Sequence, residues 1–89
     1  MDGNAFISSV EETLVPISPI IEFAIRKQLA EIGTTPEDIT PKEAMVFIEK
    51  MAEAMELFLG KPEASKNRNI MVSLLRKYAP EYFEKRSLI

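Results

Sequence analysis

The sequence predicts an all-α protein, a compact bundle of four helices followed by a short C-terminal fifth. Three observations point there. Pro16, Pro19, Pro36, Pro41, Pro62 and Pro80 fall between stretches of apolar periodicity, and Gly33 and Gly60 follow such stretches, as expected of helices that begin near proline and stop at glycine. Within each stretch the apolar residues recur at three- and four-residue intervals, the repeat of a helix face. No stretch alternates at period two, and β-branched residues do not gather between turns, so nothing reads as a strand.

The first helix is expected over residues 4–15. Phe6, Ile7, Val10 and Leu14 share a face, Asn4 can cap, and Pro16 cannot continue the helix because it lacks an amide hydrogen. A second helix starts at Ser18, with Pro19 in its first position, and stops at Gly33. Its first two turns (Ile20, Ile21, Phe23, Ala24, Ile25) are apolar almost all round, which places them at the centre of the fold, surrounded by protein. Thr35-Pro36-Glu37-Asp38 reads as a capped turn.

Thr40-Pro41-Lys42-Glu43 is the strongest local signal. Thr40 can accept from first-turn amides, Pro41 presets the helical φ, and Glu43 can reach back to the Thr40 amide. The helix that follows runs to Leu59, with a stripe of Ala44, Phe47, Ile48, Met51, Ala52, Met55, Phe58 and Leu59. The fourth begins near Pro62, or at a later cap (Ser65 or Asn67), with Ile70, Met71, Leu74, Leu75 and Tyr78 on its apolar face. Pro80 breaks it or opens a last turn over residues 81–86 that holds Tyr82 and Phe83.

Eighty-nine residues form one domain, residues 1–89, with a thin core. The chain has no Cys, His or Trp. That removes disulfides, thiolate or imidazole metal sites and histidine-based nucleophile systems. Carboxylates, Lys, Tyr, Ser, Thr and Arg remain, in no recognisable catalytic constellation, so no enzyme, cofactor or metal is expected. Glu49, Glu53 and Glu56 share a helix side, but neither a Glu-x-x-His motif nor a calcium-loop pattern accompanies them. They read as a solvated face.

The net charge of −3 does not point to a generic nucleic-acid binder. Its distribution is uneven. Residues 1–60 hold four basic and eleven acidic groups, a net of −7, whereas residues 61–89 hold seven basic and three acidic, a net of +4. The two parts are expected to lie against each other or against a second copy. The first basic residue is Arg26, so no secretory signal is expected, and no apolar run approaches a membrane helix. The expected location is the cytoplasm.

Two functional readings follow. In the first, the chain is a small non-enzymatic interaction module that self-associates, most simply as a homodimer. Met45, Val46 and Leu57 add apolar surface away from the main seam of the third helix and are the candidate interface. The methionines at Met45, Met51 and Met55 otherwise read as core filling. The alternative is nucleic-acid or anionic-ligand binding by the basic C-terminal third. There Lys66 and Arg68 lie near an expected helix start, Arg76 and Lys77 precede Tyr78, and Lys85 and Arg86 follow Tyr82 and Phe83. Asn67, within Asn67-Arg68-Asn69, reads as a cap, and the helical phase assigns Tyr78 to the core.

The phase of the third helix is open to direct measurement. Phe47→Ala or Met51→Ala should lower the unfolding free energy by roughly 2–5 kcal/mol in denaturant titrations, whereas neutralising Glu49 or Glu53 should cost little. Equal losses at both kinds of position would contradict that phase.

Overall fold

The computed structural model describes residues 1–87, with side chains to Glu84. Its five helices are α1 (Gly3–Leu14), α2 (Ile20–Ile32), α3 (Pro41–Leu59), α4 (Lys61–Tyr78) and α5 (Pro80–Ser87), and no strand occurs among the described residues. The all-α class expected from the spacing is the class observed.

Local chemistry sets most boundaries. Asp2, not Asn4, caps α1, its Oδ1 accepting from the Ala5 amide at 3.0 Å. The helix therefore starts earlier than its apolar face required. Gly33 ends α2 with a left-handed backbone (φ 81°, ψ 33°). The Gly33 amide donates to the Ala30 carbonyl at 3.1 Å and the Thr34 amide to the Leu29 carbonyl at 3.1 Å. That pair is a Schellman closure, which satisfies carbonyls the helix end would otherwise leave bare. The Thr40 hydroxyl accepts from the Glu43 amide at 3.2 Å, and the Glu43 carboxylate accepts from the Thr40 amide at 3.0 Å. The reciprocal box is thus complete where the sequence placed it.

Only Gly60 separates α3 from α4, at φ 85° and ψ 165°, a backbone essentially confined to glycine. Pro62 then falls in the first turn of α4, where its missing amide hydrogen costs nothing. Hence α4 starts at Lys61, beside Pro62 as one of the expected starts had it and ahead of the later caps at Ser65 and Asn67.

The one-residue turn folds α4 back along α3, and this is the most extensive helix seam. α2 covers another side of α3, α1 packs on α4 and more lightly on α2, and α5 lies on α4. The core holds Phe6, Ile7, Val10 and Leu14 of α1, Ile21, Ile25 and Leu29 of α2, Ala44, Phe47, Ile48, Met51 and Met55 of α3, and Ala64, Met71 and Leu75 of α4. Phe6 and Phe47 meet edge to face at 6.3 Å. The Ser9 and Tyr78 hydroxyls share a 2.8 Å hydrogen bond between α1 and α4. Tyr78 is half-buried, its ring against the core and its hydroxyl partnered, as suits an amphipathic side chain.

Two expectations about burial fail. The start of α2 is not surrounded by protein: Ile21 and Ile25 are buried, but Ile20 is 50% and Phe23 69% exposed. α2 packs on α1 and α3, so it buries a single stripe. Phe58, assigned to the α3 stripe, is 38% exposed in the last turn of that helix.

Gly3 pins the start of α1 to the turn before α3. A Cβ there would stand 2.1 Å from the Pro36 carbonyl oxygen and 2.7 Å from Ile39 Cγ2. Ile39 is itself buried, so neither neighbour can give way cheaply. In an open helix Gly→Ala would stabilise by about 1 kcal/mol. Gly3→Ala should instead destabilise by about 1–3 kcal/mol in urea unfolding, as overpacking does. A gain in stability would show that the turn does not press on α1.

Candidate functional site

α2 and α3 run antiparallel, the start of α2 beside the end of α3. Ile20 and Phe23 project from α2, and Leu57 and Phe58 from α3, around a shallow groove of about 260 Å³ floored by Ala24, Gln28 and Ala54 and edged by Lys27. Leu57 is 89% exposed and Phe23 69%, the two most exposed large apolar side chains among the described residues. Scattered surface leucines need no explanation, but four large apolar residues around one groove form a patch.

The exposure of Leu57 follows from the helix phase. Burial of Met51 and Met55 fixes how α3 is rotated, and Leu57 lies about 160° round the axis from Met55. The same rotation places Val46, Lys50, Glu53 and Leu57 along one side. A second, more polar groove of about 360 Å³ adjoins the first. Lys27, Gln28 and Glu31 of α2 line it together with Lys50, Glu53, Ala54 and Leu57 of α3. The α2–α3 face is therefore apolar at one end and charged at the other. All four charged groups line this one groove, and the antiparallel order of α2 and α3 sets Lys27 toward the level of Glu53 and Glu31 toward that of Lys50. Among the described residues none of these four groups forms an ion pair.

The structure divides the three candidate interface residues. Leu57 is at the middle of the patch. Val46 is 43% exposed on the same side of α3, about 16 Å further along, with Lys50 and Glu53 in between. Met45 turns inward and packs against the core, so it is not part of this face. Ile20, Phe23 and Phe58 take its place. All three were expected in the interior: Ile20 and Phe23 because a helix start apolar all round carries no signal for which side is covered, and Phe58 because its spacing continues the α3 stripe.

The basic candidates do not converge. Lys66 and Arg68 lie in the second and third turns of α4, away from the free amides of its start. Arg68 donates from Nε to a Glu49 carboxylate oxygen at 2.8 Å. The Arg76 guanidinium sits 4.9 Å over the Phe83 ring, and the Lys77 ammonium 5.6 Å from the Tyr78 ring. Lys66 is exposed on another side of α4 from Arg68. The side chains of Lys85 and Arg86 lie outside the described ones. The Glu49–Arg68 pair also shows where the charge division leads: the acidic and basic parts meet across the α3–α4 seam of a single chain.

A surface concavity of about 590 Å³ follows that seam. Glu49, Glu53 and Glu56 face Lys61 and Arg68 across Ala52, Ala64 and Ser65. Its acids are opposed by bases, and among the described residues no group of three carboxylates is placed to hold a metal.

Asn67 is neither a cap nor exposed. It is 1% exposed, in the buried α4 stripe with Ala64, Met71 and Leu75, and its Nδ2 finds no hydrogen-bond partner among the described residues. Comparison of the chain with protein-family models, curated proteins and solved structures finds no match.

A buried donor without an acceptor costs about 1–3 kcal/mol. Asn67→Leu, with equally many heavy atoms and no polar group, should therefore raise the unfolding free energy by about that amount. A drop in the thermal midpoint would show that the amide is satisfied in solution.

Proposed function

We propose that this protein is a small non-enzymatic interaction module that self-associates, most simply as a homodimer, through the α2–α3 face. The observation that carries the reading is the apolar patch of Ile20, Phe23, Leu57 and Phe58, open on the surface of a protein whose remaining large side chains are mostly covered.

Size supports it. A standard interface buries about 800 Å² per partner. The four side chains leave on the order of 400 Å² of apolar surface in water, about half of that, and the flanking residues of the same face can supply the rest. The composition of the patch supports it too. Interface centres favour aromatic and large aliphatic side chains within a polar rim, and here Lys27, Lys50 and Glu53 border the apolar end. A domain this short also has little core of its own, and burial of the patch against a second copy adds to it.

Sedimentation velocity over a dilution series tests the proposal. The protein should sediment at twice its 10.1 kDa mass at high micromolar concentration and dissociate on dilution. Leu57→Glu and Phe23→Glu should each weaken the dimer at least about tenfold, or 1.4 kcal/mol. Because both side chains point to water in the single chain, protomer stability should change by no more than about 0.5 kcal/mol. A lone 10.1 kDa species at high micromolar concentration would overturn the reading.

A further inference from the structure

Charge placement on the α2–α3 face specifies how two copies meet. We infer that they pack with α2 of each protomer against α3 of its partner, about a two-fold axis that runs along the helices, so that Lys27 of one faces Glu53 of the other and Glu31 faces Lys50. The inference rests on the self-association proposed above.

The face offers two simple ways of laying a copy on itself. With the axis across the helices and centred on the patch, α2 lies on α2 in antiparallel order. The apolar ends then overlap, but the charged ends point away to opposite extremes and stay unmatched. With the axis along the helices, each level of the face meets the same level of the partner, and α2 and α3 exchange places. The apolar end then meets the apolar end, Ile20 and Phe23 against Leu57 and Phe58. The charged end meets the charged end at the levels the two grooves define, Lys27 beside Glu53 and Glu31 beside Lys50.

A contact between identical faces must be complementary to itself, and a rim of one sign would repel its own copy. This rim holds two bases and two acids in a pattern that pairs opposite signs when α2 and α3 are exchanged. None of the four forms an ion pair within the protomer among the described residues. Two-fold symmetry repeats both pairings on either side of the axis.

Mixing singly reversed chains provides the test, because it separates contacts between chains from contacts within one. In its own homodimer, the Lys27→Glu chain sets its new carboxylate against the partner's Glu53, acid on acid. The Glu53→Lys chain sets its new ammonium against the partner's Lys27, base on base. Each alone should dimerise at least about tenfold more weakly than the parent by sedimentation. In a mixture of the two, every contact between positions 27 and 53 again joins opposite signs, so the heterodimer should recover parental affinity. Lys66→Glu mixed with Glu63→Lys, of the same net charges but both on α4, controls for overall charge and should show no such pattern. Thermal melts of each variant verify folding.

A parent that dimerises while the reversed pair behaves like the control pair would overturn this axis and leave the proposed self-association standing. A parent that remains monomeric throughout would overturn both.

Discussion

Burial of the α3 stripe is the constraint on which the rest depends. Ala44, Phe47, Ile48, Met51 and Met55 are buried among α2, α4 and the Phe6 side of α1. A rigid helix has no freedom left once one side is fixed. Whatever stands opposite that stripe must point outward, and Leu57 and Val46 do. The exposed surface of this protein is thus a geometric consequence of its core. Neither residue could be withdrawn from solvent without rotating the methionines out.

The two long seams of α3 use charge differently. On the α4 side, Glu49 and Arg68 pair across the seam within one chain, and the acidic and basic parts of the sequence offset each other there. Both groups are well exposed, so the pair contributes little to stability and mainly marks the register of the hairpin. On the α2 side, among the described residues, Lys27, Glu31, Lys50 and Glu53 stand without ion-pair partners next to an apolar patch. Where one seam is closed by its own chain, the other leaves apolar area and charges of both signs at the surface.

Much of the fold could be read from local chemistry, and its limits are equally physical. The Thr40–Glu43 box and the stops at Gly33 and Gly60 act through bonds a few residues long, so composition at those positions suffices to place the ends of α3 and the end of α2. Asp2 displaced Asn4 as the first cap because both residue types cap equally well, and tertiary contact at Gly3 decides between them. Pro62 left the start of α4 open because proline is tolerated anywhere in a first turn. The rotation of α2 could not be read at all. A turn carrying Ile20, Ile21, Phe23, Ala24 and Ile25 has no polar side, and only the positions of α1 and α3 determine that Ile21 and Ile25 are covered while Ile20 and Phe23 are not. For the site, Leu57 and Val46 were accessible to reasoning because α3 has a clear polar side to measure them against. Phe23 was hidden for want of one. Asn67 misled in the opposite sense, since a single polar residue in a stripe reads as surface until the packing is known.

Whether a second copy covers the α2–α3 face decides the central question. The most direct observation is a set of isotope-filtered nuclear Overhauser effects from a mixture of labelled and unlabelled chains, which reports only proximities between different molecules. Cross-peaks from the Leu57 methyls to the Phe23 ring and the Ile20 methyls of the other chain are the expected result. Intermolecular cross-peaks confined to other surfaces, or none at a concentration where the protein is dimeric, would contradict it.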